Sequence, residues 1–399
     1  MEFAFTEEQK MIRDTAESFL QEVSTSGAVR DAMASAVGYD ASQWQTVCKD
    51  LYWQAIHSPE SVGGMALGYV ELVAMQEQMG RYLFCSPFFA SVCLGVNALL
   101  VAASTEQQQQ ILPQILAGKT ATLAFSGAAA GRNAGCWDVG TVTAQWQQQG
   151  DQYILSGQYE YVIDGASADY LIVAARQAGT VGNDGIRVFL LTADASGLER
   201  ISLPTMDQTR RQARIILDKV SVDSTAMLGQ PASAANNLSI ILDLATIALA
   251  AEQMGGAQQL LDMSVAYSKE RVQFGRSIAG FQAIKHKAAD MMLRVEVARS
   301  GVYYAACVAE EALAAIAGGQ QCDRAQLAEA ASVAKSYCSD AFFQNAGEAL
   351  QIHGGVGFTW EYDVHLYFKR AKSSEHYLGN GSWHRERLAA LLLDQEAGL

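Results

Sequence analysis

Arginine, phenylalanine and glutamine are set at close spacing between Arg271 and Gln282, in the run R-V-Q-F-G-R-S-I-A-G-F-Q. A guanidinium held beside an aromatic ring and an amide can grip a phosphorylated group, because its planar fork donates parallel N–H bonds to phosphate oxygens. Lys269 and Arg276 add charge on either side. The run reads as the end of one helix, a tight turn and the start of another. Phe274-Gly275 permits the turn, since glycine takes backbone angles that a Cβ forbids. A basic helix end complementing its own dipole is the alternative reading. A second run, Q-I-H-G-G-V-G-F from Gln351, closes a helical pattern with a glycine-rich turn. Such a turn alone is a weak signal.

Positioning these runs takes three kinds of segment. Residues 1–120 read as an N-terminal α-helical domain. Thr6 and Gln9 form a capping box ahead of an apolar stripe from Met11 to Leu20. Ser86-Pro87 starts a further helix through Leu100. In residues 121–233 the apolar period drops to two, with strands predicted at 141–145, 152–157, 168–175, 187–193 and 213–217. No long helical pattern separates them, which predicts a small antiparallel β domain. Residues 234–399 read as helices at 236–271, 279–317, 324–352 and 383–395. Long apolar stripes with short joins predict a four-helix bundle.

The 399 residues are half apolar, enough for a large core and more than one domain. A net charge of −14 argues against nucleic-acid binding, which needs a basic face. No secretory leader pattern is seen at the start, and no uninterrupted apolar stretch reads as a membrane span. The 7 cysteines are scattered without C-x-x-C spacing, as in a reduced, cytoplasmic protein. The 6 histidines form no ligand pair, so no metal site is expected.

The run from Arg271 resembles the R-x-x-F-G-x-x-I-x-x-F-Q signature of the acyl-CoA dehydrogenase family of flavoproteins. The run from Gln351 resembles that family's Q-x-x-G-G-x-G-F motif. The F-T-E-E-Q opening, the G-G-M-A-L-G turn, the I-L-P-Q-I-L-A-G-K segment, G-D-Q-Y-I-L-S-G-Q and the D-x-T-R stretch at Asp207–Arg210 extend the likeness over nearly the whole chain. The resemblance implies an α+β, mostly α fold: an N-terminal helical domain, a middle β domain and a C-terminal four-helix bundle. It implies FAD as cofactor. Arg271, Phe274 and Gln282 would meet the FAD pyrophosphate of a neighbouring subunit, and Gln351, Gly354 and Gly355 its adenosine half. It also implies an acyl-CoA substrate and electron-transfer flavoprotein or a similar acceptor. The assembly would be a homo-oligomer or a heterotetramer with a paralogous subunit.

Flavin-ring contacts would come from the middle domain. The family's [ST]-E-x-x-x-G-[ST]-D fingerprint corresponds to Ser126 through Asn133. Ser126 keeps a hydroxyl and Gly131 the close backbone approach, whereas Gly127, Arg132 and Asn133 depart from the pattern. The aromatic-branched-Thr fingerprint becomes Tyr161-Val162-Ile163. Tyr161 can stack, but Ile163 offers flavin N5 no hydroxyl. Asn380 completes the cofactor set. Arg132 and Thr246 are the substrate-binding candidates. Arg132 suits a CoA phosphate or substrate carboxylate, or equally a surface role.

The family's reaction removes a proton alpha to a thioester carbonyl while hydride leaves the beta carbon for the flavin, so a carboxylate must reach that proton. In the family it lies in Y-E-G-T or, less often, on the first bundle helix. By counting, these positions are Leu378 and Ala245. Glu252 lies seven residues past Ala245, nearly two turns along the same face. It is the catalytic candidate in their place, ahead of Glu375, Asp243 and Asp164. Some members work as heteromeric pairs on steroid side-chain thioesters, with one subunit lacking the base, and H-L-Y-F-K-R-A at 365–371 resembles that branch. Two readings stand: a flavin-dependent dehydrogenase with an unusual base or a completing partner, and an inactive scaffold or regulatory subunit.

Overall fold

The structure, a computed structural model, describes residues 5–126 and 137–393. The N-terminal part is helical. Helix α1 (Glu7–Val23) opens on the predicted capping box: the Thr6 hydroxyl accepts from Gln9 N, and the Gln9 side chain accepts from Thr6 N, both at 3.1 Å. Helices α2 (Ser26–Ala34), α3 (Ala41–Lys49) and α4 (Tyr69–Arg81) follow. The helix expected from Ser86 is not regular. Phe89–Val96 is π-wound before α5 (Asn97–Ala102) and α6 (Thr105–Leu116). Asn97 explains the widening, because its side-chain amide donates to the Cys93 carbonyl at 2.9 Å, where an α-helix would use the backbone N–H.

A seven-stranded sheet forms the centre, in the order β1 (Ala121–Ala124), β4 (Tyr170–Gln177), β2 (Gln145–Gln149), β3 (Gln152–Ile163), β7 (Gln212–Asp223), β6 (Leu198–Ser202), with β5 (Ile186–Thr192) on β4. The antiparallel expectation needs correction. β1 and β2 both run parallel to β4, and the other pairings are antiparallel. β1 and nearly all of β4 are buried, as parallel strands covered on both faces are. Alternation of residue types cannot report strand direction. β3 and β7 carry a register shift between Tyr159 and Val162. That bulge sets Tyr161 at φ 58° and 41% exposed, while Val162 and Ile163 turn inward.

The C-terminal helices are α7 (Ala234–Glu270), α8 (Gln282–Ala317), α9 (Arg324–His353), α10 (Val364–His376) and α11 (Gly381–Leu393). The sequence reading omitted α10. α7 is apolar nearly all round and buried through its middle, packed on α4, α8 and α9. By length and composition its segment could cross a membrane, contrary to the sequence reading, but its apolar surface is taken up inside the bundle.

Candidate functional site

Two clusters contain the predicted site residues. The first lies at one end of the bundle. α7 ends at Arg271, and a two-stranded hairpin, β8 (Val272–Gln273) and β9 (Arg276–Ser277), turns through Phe274 at φ 52° and Gly275 at φ 76°. This is the predicted helix–turn–helix join, with Gln282 as first residue of α8. Tyr267, one turn before Arg271, stacks on His353 at 4.2 Å between ring centroids. That contact brings the ends of α7 and α9 together, and with them the Arg271 and Gln351–Gly355 runs. Arg271, Gln282, Gln351, Gly354 and Gly355 are exposed, and Phe274 is 92% exposed. Within the chain the Phe274 ring has an edge contact with Phe281, at 6.1 Å between ring centroids, and most of its surface is left open beside an open arginine. Such exposure suits a surface completed by another molecule.

The second cluster lies between the sheet and the bundle. Trp137 is at its centre, 4.9 Å from the Tyr377 ring, 6.0 Å from Phe125 and 6.3 Å from Tyr161. Ser126 is 2% exposed, and its hydroxyl has no hydrogen-bond partner among the described residues. An orphaned buried hydroxyl is costly unless something meets it, and a ring carbonyl would. Ile163 is buried; its carbonyl accepts from the Thr122 hydroxyl at 2.6 Å. Gly131 and Arg132 lie outside the described residues.

Leu378 and Ala245 are 2% and 0% exposed. With Trp137, Thr246, Trp383 and Arg387, Leu378 lines a cavity of about 50 Å³. The Thr246 hydroxyl donates to the Leu242 carbonyl at 2.7 Å. Asn380 caps α11, accepting from Trp383 N at 2.9 Å. Both predicted ligand contacts therefore already have partners within their own helices.

The carboxylates near the cleft are mostly spoken for. Glu252 is buried, paired to Arg210 and, at 2.8 Å, to Arg370. Burial opposes its charge, but the two guanidiniums outweigh it and hold the pKa below the ordinary carboxylate value. A base poised near neutral pH needs the reverse. Arg370 also donates to Asp207 at 2.8 Å and to the Thr209 hydroxyl at 2.6 and 3.0 Å. Asp243 is clamped by Arg324 at 2.9 Å and Arg387 at 2.6 and 3.0 Å. Glu375 pairs with Lys372 at 2.8 Å. Asp164 differs. Burial pushes its carboxyl up to about 7, against the pull of Arg210, Arg370 and Arg211.

Sequence reasoning singled out Asp207–Arg210 but missed Arg370, Trp137 and Lys335. A lone arginine inside H-L-Y-F-K-R-A and a lone lysine inside A-S-V-A-K-S-Y were the available signals. A charge at core spacing is buried only with partners: Arg370 has carboxylates, and Lys335 has backbone carbonyls and a hydroxyl.

The descriptions "Acyl-CoA dehydrogenase, N-terminal domain" and "Acyl-CoA dehydrogenase, C-terminal domain" match residues 6–119 and 239–393. Acyl-CoA dehydrogenase IpdE2 of Mycolicibacterium smegmatis is 31% identical over 96% of this chain and 99% of its own. Butyryl-CoA dehydrogenase from Megasphaera elsdenii superposes with a TM-score of 0.87 at 25% identity, covering 98% of this chain and 100% of the other. The ChsE4-ChsE5 complex from Mycobacterium tuberculosis contains a chain that superposes with a TM-score of 0.84 at 26% identity, covering 100% of both. In fold, motif order and extent of likeness, this chain belongs to the acyl-CoA dehydrogenase family of oxidoreductases.

Proposed function

We propose that this chain is an FAD-binding acyl-CoA dehydrogenase subunit that has no general base of its own and acts with a partner subunit. The observation that carries the reading is the state of the carboxyl groups. The two positions that match the family's base are Leu378 and Ala245, and Glu252 is neutralised by two guanidiniums. Glu252 is then an anchor between domains, not the base first expected of it. FAD, when bound, would take the hydride from the acyl beta carbon. The chain's own groups fit that cofactor. Ser126 offers an unused hydroxyl, Tyr161 an exposed aromatic face, and Arg271, Gln282 and Gln351 exposed polar groups at one end of the bundle.

Exposure of Arg271 and Phe274 supports a partner, since a cofactor gripped there would belong to a shared site. The ChsE4-ChsE5 complex is a relative of two named components. Homo-oligomer and heteromer both satisfy the exposed motifs; Leu378 and Ala245 at the base positions favour the heteromer, whose second subunit can carry the carboxylate.

A second reading rests on Asp164. It follows Ile163 and its carboxyl is raised to about 7, where a base is useful. In a complex that turns over, Asp164→Asn in this chain should leave turnover unchanged. A loss of about a hundredfold or more would give the base to Asp164.

A further inference from the structure

Lys335, on α9, is fully buried, with 0% exposure. Among the described residues no carboxylate is paired with it. Its ammonium instead faces the Ser374 carbonyl at 3.0 Å, the Glu375 carbonyl at 3.1 Å, the Gly379 carbonyl at 2.9 Å and the Ser339 hydroxyl at 2.8 Å. Ser374 and Glu375 belong to the last turn of α10, whose carbonyls have no N–H partner within the helix. The negative end of the helix dipole also lies there. Gly379 lies beyond Leu378. One ammonium therefore binds the chain on both sides of Leu378.

That stretch of backbone needs holding. Leu378 has φ 59° and Gly379 φ 95°. Leucine in the left-handed region costs about 1–2 kcal/mol. His384 donates to the Leu378 carbonyl at 2.9 Å from the other side. Gln253, on α7, reaches the hydroxyls of Ser339 and Ser374 at 3.2 Å each. Lys335 from α9 and His384 from α11 hold the backbone of the four-residue turn Tyr377–Asn380 directly, and Gln253 from α7 braces Ser339 and Ser374 beside it. The turn delivers Tyr377 to the Trp137 ring and so to the neighbourhood of Tyr161. Burial draws Lys335 down to about 7, and the titratable groups facing it are Glu375 on α10, Asp340 and the Cys338 thiol on α9, and His384 on α11, burial keeping the thiol and the imidazole uncharged. Three carbonyls and the Ser339 hydroxyl give its three N–H donors acceptors enough for the charged form.

We propose that Lys335 is the positioning residue of the Tyr377–Asn380 turn, fixing the backbone on both sides of Leu378 and, through it, the flavin contact made by this turn. The flavin part rests on the proposed function. Burying a lysine against neutral carbonyls and a hydroxyl, with no carboxylate, is costly. It is worth its cost where a strained turn must keep one shape.

The test uses the full chain with Lys335→Met, which keeps the side chain's length and removes its donors, and Lys335→Gln, which keeps one donor group. Hydrogen exchange is read at Tyr377 and Gly379, whose amides donate to Ser373 and His376 carbonyls, and FAD affinity by flavin fluorescence. Lys335→Met should speed exchange at these amides by about tenfold or more, with the β3–β7 ladder unchanged, and Lys335→Gln should fall between. FAD affinity should weaken in the same order. Unchanged exchange at Tyr377 and Gly379 overturns the proposal. So does an equal loss of protection in the β3–β7 ladder, or collapse of both variants, which would assign Lys335 to global stability. Faster exchange with unaltered FAD affinity removes the flavin contact from the turn. A parent chain that binds no FAD contradicts the proposed function, and the exchange result still decides for or against Lys335.

Discussion

Arg370→Met is expected to cost about 3–5 kcal/mol of folding stability, roughly a fifth or more of what a typical domain has. Arg370 is 3% exposed and joins three regions. It projects from α10, bonds Glu252 on α7, and bonds Asp207 and Thr209 in the connection from β6 to β7. Methionine fills much of the volume but leaves Asp207 as a buried carboxylate without its cation. Glu252 keeps Arg210 alone, and Arg210 also lies over the Phe89 ring at 4.7 Å. The expense arises from the stranded charge rather than from the lost attraction. Urea unfolding of parent and variant measures it. A loss under about 1 kcal/mol, the range of exposed ion pairs, would mean that the network is solvated and holds nothing together.

Gly379→Ala should be nearly as damaging. Gly379 has φ 95°, where an L side chain is strained. A Cβ there would press into the Trp383 ring below any normal contact distance and come within 3.0 Å of His384 Nε2. His384 is the group that donates to the Leu378 carbonyl, so the clash falls on the turn's second support. Backbone strain of about 1–2 kcal/mol and overpacking of about 1–3 kcal/mol add to roughly 2–5. Thermal unfolding reads the sum. A shift equivalent to less than about 1 kcal/mol would show that the turn relaxes freely, and the strained geometry at Leu378 would then have no structural purpose.

The long elements were legible in the sequence because their signals are local. α7, α8, α9 and α11 follow apolar stripes, and the Thr6 cap and the Phe274-Gly275 turn depend on neighbouring residues alone. α10 was missed because its charges, Lys369, Arg370 and Lys372, interrupt the stripe, and Arg370 is nonetheless buried. Strand direction and the bulge at Tyr161 depend on contacts between distant residues, and the π-wound turn depends on the Asn97 amide competing with the backbone for the Cys93 carbonyl, which an apolar pattern does not report. The candidate site divides in the same way. The Arg271 and Gln351 motifs could be placed from spacing. Glu252 could not be judged from spacing, because its two guanidiniums arrive from residues 42 and 118 positions away. A glutamate on the right helix face looks like a base until its partners are known.

The visible spectrum of the chain purified with FAD, before and after anaerobic addition of a panel of acyl-CoA thioesters, is the most direct measurement. A missing base slows proton removal by about 10²–10⁴-fold. The flavin should therefore stay oxidised with every thioester when the chain is alone, and bleach when a paralogous subunit carrying the carboxylate completes the site. Prompt bleaching of the chain alone would contradict the proposal, and would place a working base among its own carboxyl groups.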